Sequence, residues 1–180
     1  MKRVAITLAF VLVTGASFAQ SHQPYAGLQS RAVKAFSDQQ IADLRAGRGM
    51  SMALPAELNG YPGPLHVIEH ANALALTSNQ LGQVQRLYDE MKSEASTLGA
   101  RMIAEETELD RLFSSRTVTS DTLTHATAAI GKTQGKLRAT HLRYHPATVG
   151  ALTSDQLARY AVLRGYQNGQ GHSPHSQPHK

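Results

Sequence analysis

Two pairs of histidines recur at helical spacing in this 180-residue chain, which contains nine histidines. His66 and His70 are four residues apart, and so are His141 and His145. Residues four apart on an α-helix lie on one face, so each pair can present two imidazoles to one metal ion. The spacing predicts a transition-metal site, although histidines that only decorate a helix surface show the same spacing.

Helices are the elements that must position these pairs. If a helical hairpin turns near Thr117, and the preceding helix folds back near Thr77, both histidine pairs meet at the open end of the hairpin. Three acidic residues of the intervening helix fall at the same level: Asp89, Glu90 and Glu94. Four imidazoles with nearby carboxylates would suit Zn²⁺, Ni²⁺, Co²⁺ or Cu²⁺.

A further group of histidines lies near the C-terminus. Residues 167–180 are mainly Gly, Ser, Pro, Gln and His, a composition typical of a disordered tail. Such a tail can capture metal ions through His172, His175 and His179, or it can be a solvated terminus with no role.

A seven-residue phrase occurs twice, at 75–81 and at 151–157, and six of its seven positions are identical. Each copy has the pattern Leu-Thr-x-x-Gln. The threonine is placed as an N-cap, the glutamine completes a capping box, and the leucine can form a hydrophobic staple. The phrase therefore predicts two helix starts, with the motif residues Leu76, Thr77, Gln80, Leu152, Thr153 and Gln156.

Apolar residues at steps of three and four predict a long second helix over 78–116. A third helix is expected over about 121–144, where Pro146 kinks or ends it. Shorter helices are expected over 65–74 and over 153–165. No run shows period two, so the predicted fold class is all-α: a four-helix bent hairpin with two long antiparallel helices.

The N-terminus has the features of a cleaved signal peptide, with a basic start and an apolar run too short to span a membrane. Small residues place the cleavage after Ala19. The predicted organisation has four segments: a signal peptide over 1–19, an irregular lead over 20–64 with one short helix, a helical domain over 65–166 and the tail over 167–180. The short helix of the lead is expected to start at a capping box formed by Ser37 and Gln40.

Composition limits the function further. The chain has no cysteine, which excludes disulfides and thiolate metal sites. Without the signal peptide it has 16 basic against 13 acidic residues, which is only mildly basic and does not predict a nucleic-acid partner. It has no phosphate-binding loop and no serine nucleophile elbow, so we expect no enzymatic activity. The segment 66–70 fits the inverted zincin pattern, but the third ligand and catalytic scaffold are missing.

Two Leu-Thr-x-x-Gln motifs that bracket a long helical hairpin in a secreted chain resemble the Spy/CpxP group of periplasmic proteins. This group includes the zinc-linked ZraP and, more distantly, the nickel/cobalt sensor domain CnrX. The resemblance covers about Leu65 to Tyr166. It implies a bent four-helix hairpin, often as an antiparallel dimer with a concave cradle, located in the periplasm.

CnrX is similar in having a His-x-x-x-His pair before its first motif, which His66 and His70 match. Its second ligand pair is a histidine and a methionine nearer the following motif, so His141 and His145 depart from that pattern. A carboxylate ligand in the second helix of CnrX aligns close to Tyr88 or Asp89. The departure puts nickel or cobalt specificity in doubt.

The resemblance implies two functions that the sequence leaves open. The principal expectation is an ATP-independent chaperone of the envelope stress response, which binds unfolded or misfolded envelope proteins. The residues predicted to contact clients are basic: Arg86, Lys92, Arg101, Arg138 and Arg143. The alternative is a heavy-metal sensor or buffer for Zn, Ni, Co or Cu. A regulatory partner of a membrane sensor kinase is a further alternative.

Overall fold

The computed structural model describes residues 24–166, and this part of the chain is all-helical, with no strand. The predicted signal peptide and the tail histidines lie outside the described residues. A 3-10 turn at Leu28–Ser30 precedes six α-helices: α1 (Asp38–Arg45), α2 (Leu54–Glu57), α3 (Pro64–Glu69), α4 (Ser78–Ser114), α5 (Ser120–Gly150) and α6 (Ser154–Leu163). None of these helices is both long enough and apolar enough to cross a bilayer.

The two long helices, α4 and α5, pack against each other along a hairpin. Their alternating apolar seam explains the pairing, because it places one stripe of each helix against the other. The core between the two long helices includes a cluster of Ala95, Met102 and Leu137, to which α1 contributes Leu44. The chain turns through residues 115–119, where Arg116 adopts a left-handed backbone with φ of 57°.

Both capping boxes predicted from the repeated phrase are confirmed, at Thr77 with Gln80 and at Thr153 with Gln156. The two glutamine side chains also bind each other. The Gln80 amide nitrogen donates to Gln156 Oε1 at 2.8 Å, and the Gln156 amide nitrogen donates to Gln80 Oε1 at 3.1 Å. This reciprocal pair, called here the glutamine clasp, joins the start of α4 to the start of α6.

The prediction that α5 ends near Tyr144 is wrong, because the helix continues to Gly150 with Pro146 inside it. Proline removes one helical hydrogen bond, but the turn that contains it is held by packing. His145 and Thr148 are buried there, and the Thr148 hydroxyl donates to the Tyr144 carbonyl at 2.7 Å. His141 and His145 therefore stay on one continuous helix face.

The prediction of a helix over 65–74 is wrong at its C-terminal end, because α3 stops at Glu69. His70 follows as the C-cap, with φ of −103° and ψ of 14°. Beyond it the chain must turn into the Thr77 cap, and Ala75 takes a left-handed φ of 50° to do so. His66 and His70 consequently do not share a regular helix face.

The lead over 24–64 covers the hairpin. The predicted capping box at Ser37 is confirmed and starts α1, which packs against α4. Gly99 permits this close approach, since a Cβ there would lie 2.1 Å from the Leu44 carbonyl oxygen. Sequence analysis did not predict α2, which begins with a proline in its first turn and has no side-chain cap.

Candidate functional site: a histidine-lined cavity at the open end

A cavity of about 410 Å³ opens where α4 begins and α5 ends. It is the point at which the lead, the hairpin and the C-terminal segment meet. The walls come from loop 46–51, from α2, from the start of α3, from Tyr88 and Met91 of α4, from His141 and His145 of α5, and from Arg164 and Tyr166 after α6.

A buried carboxylate holds one wall of this cavity together. Glu57 is only 6% exposed, and its oxygens accept hydrogen bonds from the Tyr160 hydroxyl, from the Tyr166 hydroxyl at 3.1 Å and from the Gly63 backbone at 3.0 Å. Arg164 lies 3.5 Å away and supplies a compensating charge. A buried charge is stable only when it is paired in this way. These residues form the Glu57 cluster.

Tyr160 is the most strongly perturbed member of the Glu57 cluster. Burial raises the pKa of Tyr160 well above its ordinary value, and the hydrogen bond to Glu57 raises it further. The phenol therefore stays protonated and acts as a donor to the carboxylate. Because α2 and α6 are joined by this bond, the Glu57 cluster fixes the position of the wall that faces α5.

His145 is oriented by the backbone. Its Nδ1 lies 2.6 Å from the Tyr61 carbonyl oxygen, and a carbonyl oxygen can only accept, so the hydrogen bond assigns the ring proton to Nδ1. In the neutral ring the lone pair is then on Nε2. The ring packs against Gly63, where a Cβ would lie 3.0 Å from Cε1. Gly63 is thus needed for this ring position.

His141 lies one helical turn before His145 and is 2% exposed. Its Nε2 is buried and has no hydrogen-bond partner in the described part of the chain. Burial lowers the pKa of His141, and the neighbouring His145 lowers it further, so the ring favours its neutral form. An unpaired buried nitrogen is costly and uncommon in folded proteins, and a ligand would relieve that cost.

The other predicted metal ligands are dispersed. His66 also lines the cavity and contacts Glu69 at 3.0 Å, whereas the His70 ring packs nearly perpendicular to the Tyr160 ring at a centroid distance of 6.2 Å. The three acidic residues are exposed on α4: Asp89, Glu90 and Glu94. Over residues 24–166, no group of three or more His, Asp or Glu side chains is arranged to hold a metal ion.

Two of the acidic candidates already have partners. Asp89 accepts from the Gln85 side chain at 3.1 Å, and Glu94 accepts from the Tyr144 hydroxyl at 2.9 Å and pairs with Arg143. The early end of α3 explains the displacement of His70. The structure thus brings three of the seven predicted ligands to one cavity: His66, His141 and His145.

Sequence reasoning missed several residues of the cavity, including Met50, Met91 and the Glu57 cluster. One signal was available in the sequence: the Gly-Arg-Gly-Met segment at 47–50, whose glycines permit an irregular backbone. Met50 and Ser51 both have left-handed backbones, with φ of 41° and 65°. Two successive non-glycine residues in this region are rare, and such strain is concentrated at functional sites.

The basic residues predicted to bind clients are all exposed on α4 and α5: Arg86, Lys92, Arg101, Arg138 and Arg143. Three of them have close neighbours. Arg101 pairs with Glu105 at 2.7 Å, Arg143 pairs with Glu94, and Lys92 lies 5.9 Å from the centre of the Tyr88 ring. Part of this positive charge is therefore compensated locally.

No known protein family, curated protein or solved structure matches this chain significantly. The resemblance to the Spy/CpxP group therefore stays a prediction, and the functional conclusion depends on the geometry of the open-end cavity.

Proposed function

We propose that this protein binds a transition-metal ion in the open-end cavity and serves as a metal buffer or sensor. One observation supports this above all others: His141 has a buried ring nitrogen without a partner, and His145 lines the same cavity one helical turn away. Nitrogen ligands of this kind suit Zn²⁺, Ni²⁺, Co²⁺ and copper. The predicted metal-binding function is retained, with three of the seven predicted ligands at the cavity: His66, His141 and His145.

The surroundings of the histidines suit metal binding. Metal-ligating histidines commonly donate their second ring nitrogen to a carbonyl or carboxylate oxygen, which fixes the ring orientation. His145 has such a contact with the Tyr61 carbonyl, and His66 has one with Glu69. His66 is partly exposed, so it can serve as the ligand nearest to solvent.

The Glu57 cluster has a different role in this proposal. The carboxylate already accepts from two tyrosines and one backbone amide, so few of its lone pairs remain for a metal ion. It joins α2 to α6, and its carboxylate lies 3.9 Å from His145 Nδ1. When bound, the metal ion would cross-link α5 to α3. The positions of the protein ligands would set the coordination geometry and the choice of metal ion.

Metal titration by calorimetry tests this proposal. The chain used carries asparagine at the three tail histidines, so that the tail cannot bind metal. We expect a dissociation constant below about 10 µM for at least one of Zn²⁺, Ni²⁺, Co²⁺ or copper, equivalent to about −7 kcal/mol. His141→Ala with His145→Ala should weaken binding about 100-fold or more.

His125→Ala is the matched control, because His125 is an exposed histidine on the same helix. It should leave the affinity unchanged. If no metal binds below about 10 µM, or if the double variant binds as tightly as the parent, the proposal is wrong.

Chaperone activity is a second candidate, and a specific observation favours it. Between residues 50 and 65, five apolar side chains, called here the rim, are exposed by 37–60%: Met50, Leu54, Leu58, Tyr61 and Leu65. Three of them, Met50, Leu54 and Leu65, line the open-end cavity together, and patches of exposed apolar groups are typical of interaction surfaces. This rim could hold an unfolded envelope protein, and a bent hairpin that dimerises into a cradle would enlarge it.

An aggregation assay with a denatured client at low salt tests the chaperone function. Leu54→Ser with Leu58→Ser should reduce protection, whereas Phe113→Ser, an exposed apolar residue at the far tip, should not. Equal protection by both variants would contradict a role of the rim. Periplasmic localisation and regulation of a membrane sensor kinase stay predictions of the sequence resemblance.

A further inference from the structure

Two thioether side chains line the same cavity as the histidine pair. Met91 lies on α4 and is buried, and Met50 lies on the loop after α1 at the cavity rim. We propose that the cavity selects monovalent copper, with Met50 and Met91 joining His141 and His145 as ligands. This inference rests on the proposed metal-binding function and names the metal ion.

The chemistry of the lining residues favours a soft ion. Thioether sulfur is a soft ligand, and two thioethers in one site favour Cu⁺ over the harder ions Ni²⁺ and Co²⁺, even though a nickel or cobalt site can include a single methionine. A structural zinc site needs three or four nitrogen, thiolate or carboxylate ligands, and residues 24–166 bring no such group together. Two imidazoles and two thioethers on one cavity form a mixed set that suits Cu⁺.

The loop that carries Met50 runs directly against His141. A Cβ on Gly49 would lie 3.5 Å from His141 Nδ1, so the backbone just before Met50 touches the imidazole. The next two residues, Met50 and Ser51, both have left-handed backbones. The Met52 amide donates to the Gly49 carbonyl at 2.8 Å and closes this turn.

The same loop is anchored on α4. Gly47 has φ of 65°, and a Cβ there would lie 2.6 Å from the Lys92 carbonyl oxygen. Lys92 is the residue after Met91, so the close approach of Gly47 to the Lys92 carbonyl holds the loop beside the Met91 thioether. A strained backbone that neighbours maintain is typical of a residue held in place for a ligand. The fold thus presents Met50 from the loop and Met91 from the helix.

Competition for Cu⁺ tests the inference. The full chain with tail histidines replaced by asparagine is titrated anaerobically against a chromophoric Cu⁺ chelator, and in parallel against Zn²⁺. Met50→Leu with Met91→Leu should weaken Cu⁺ binding about 100-fold and change Zn²⁺ binding by less than about threefold. X-ray absorption at the copper edge should show sulfur scattering in the parent and lose it in this variant.

Met52→Leu and Met102→Leu are matched controls, since both methionines lie outside the cavity wall and pack in the core around α1 and α4. They should leave Cu⁺ affinity and sulfur scattering unchanged. Methionine and leucine have similar volumes, so these variants should fold. If Met91→Leu does not fold, Met50→Leu alone, at the exposed rim, must still lower the sulfur scattering.

The outcomes separate this inference from the proposed function. Parent-like Cu⁺ affinity and sulfur scattering in Met50→Leu with Met91→Leu, or Zn²⁺ binding tighter than Cu⁺, would overturn the inference. Loss of binding in His141→Ala with His145→Ala would then still support the proposed function. If the histidine variant also binds every metal like the parent, both are overturned.

Discussion

At the open end of the hairpin, α2 and α3 pack on α5, α3 also packs on α4, and the carboxylate of Glu57 is buried. At the closed tip, around residues 111–123, α4 and α5 carry their charged side chains on the surface. Arg111 pairs there with Glu108 at 2.7 Å, and both side chains are exposed. Phe113 and Leu123 are exposed as well.

The contribution of an ion pair to stability therefore differs between the two ends. The hydrogen bond from Arg111 lowers the pKa of Glu108, but solvent screens this pair, and exposed pairs contribute little to stability. In the Glu57 cluster, Glu57 and Tyr160 are buried, so they depend on their hydrogen-bond partners to offset the cost of losing water. We expect stability and binding to depend on the open end far more than on the tip.

The largest difference should come from removing the buried carboxylate. Glu57→Ala removes the acceptor of the Tyr160 and Tyr166 hydroxyls and the charge partner of Arg164, and we expect it to lower the free energy of unfolding by about 3–5 kcal/mol. Urea denaturation measures this change. Glu108→Ala at the tip is the control and should hardly change the midpoint. Equal midpoints for the two variants would contradict the comparison.

A glycine pair should give effects of opposite sign. Gly63→Ala places a methyl group 3.0 Å from His145 Cε1, so it should destabilise the protein by about 1–3 kcal/mol and weaken metal binding. Gly131→Ala has open space around the new methyl group and should stabilise α5 by up to about 1 kcal/mol. Thermal denaturation distinguishes them, and a stabilising Gly63→Ala would show that His145 is not tightly held.

The glutamine clasp should reveal energetic coupling across the chain. A double-mutant cycle of Gln80→Ala and Gln156→Ala should give an interaction energy of about 1 kcal/mol, because the two amides bind each other. Thr119→Ala removes a capping box at the tip and should cost a similar amount without coupling to Gln156. An additive cycle for the two glutamines would contradict the clasp.

The smallest effect should be a dependence on pH. Because burial lowers the folded-state pKa of His141, the unfolded chain binds more protons as the pH falls through about 6.5, and stability decreases there. Above that pH the contribution of His141 is constant. Urea midpoints at about pH 7.5 and pH 5.5 should differ less in His141→Asn than in the parent. An unchanged pH dependence would exclude this origin.

Local sequence signals predicted the helix starts well. The three capping boxes at Ser37, Thr77 and Thr153 are present, since each depends on residues three positions apart. The long helices were predicted from the three-and-four spacing of their apolar residues. The end of α5 was not predicted, because packing of His145 and Thr148 outweighs the local effect of Pro146.

The cavity could be predicted only in part. His141 and His145 were found from their spacing on one helix. Glu57 and Tyr160 are 103 residues apart, and no local pattern indicates that they bind each other. Met50 was missed for a similar reason, since its position depends on a loop that α4 supports. The missing information lies in contacts between distant segments.

The length of α4 has a mechanical consequence. At 37 residues it extends about 55 Å from the clasp to the tip. A rigid rod of this length acts as a lever, so a rotation of about 5° at the cavity would swing the far end through about 5 Å. A ligand that rotates α4 relative to α3 by this angle would therefore displace the tip, relative to α3, by more than the diameter of a metal ion.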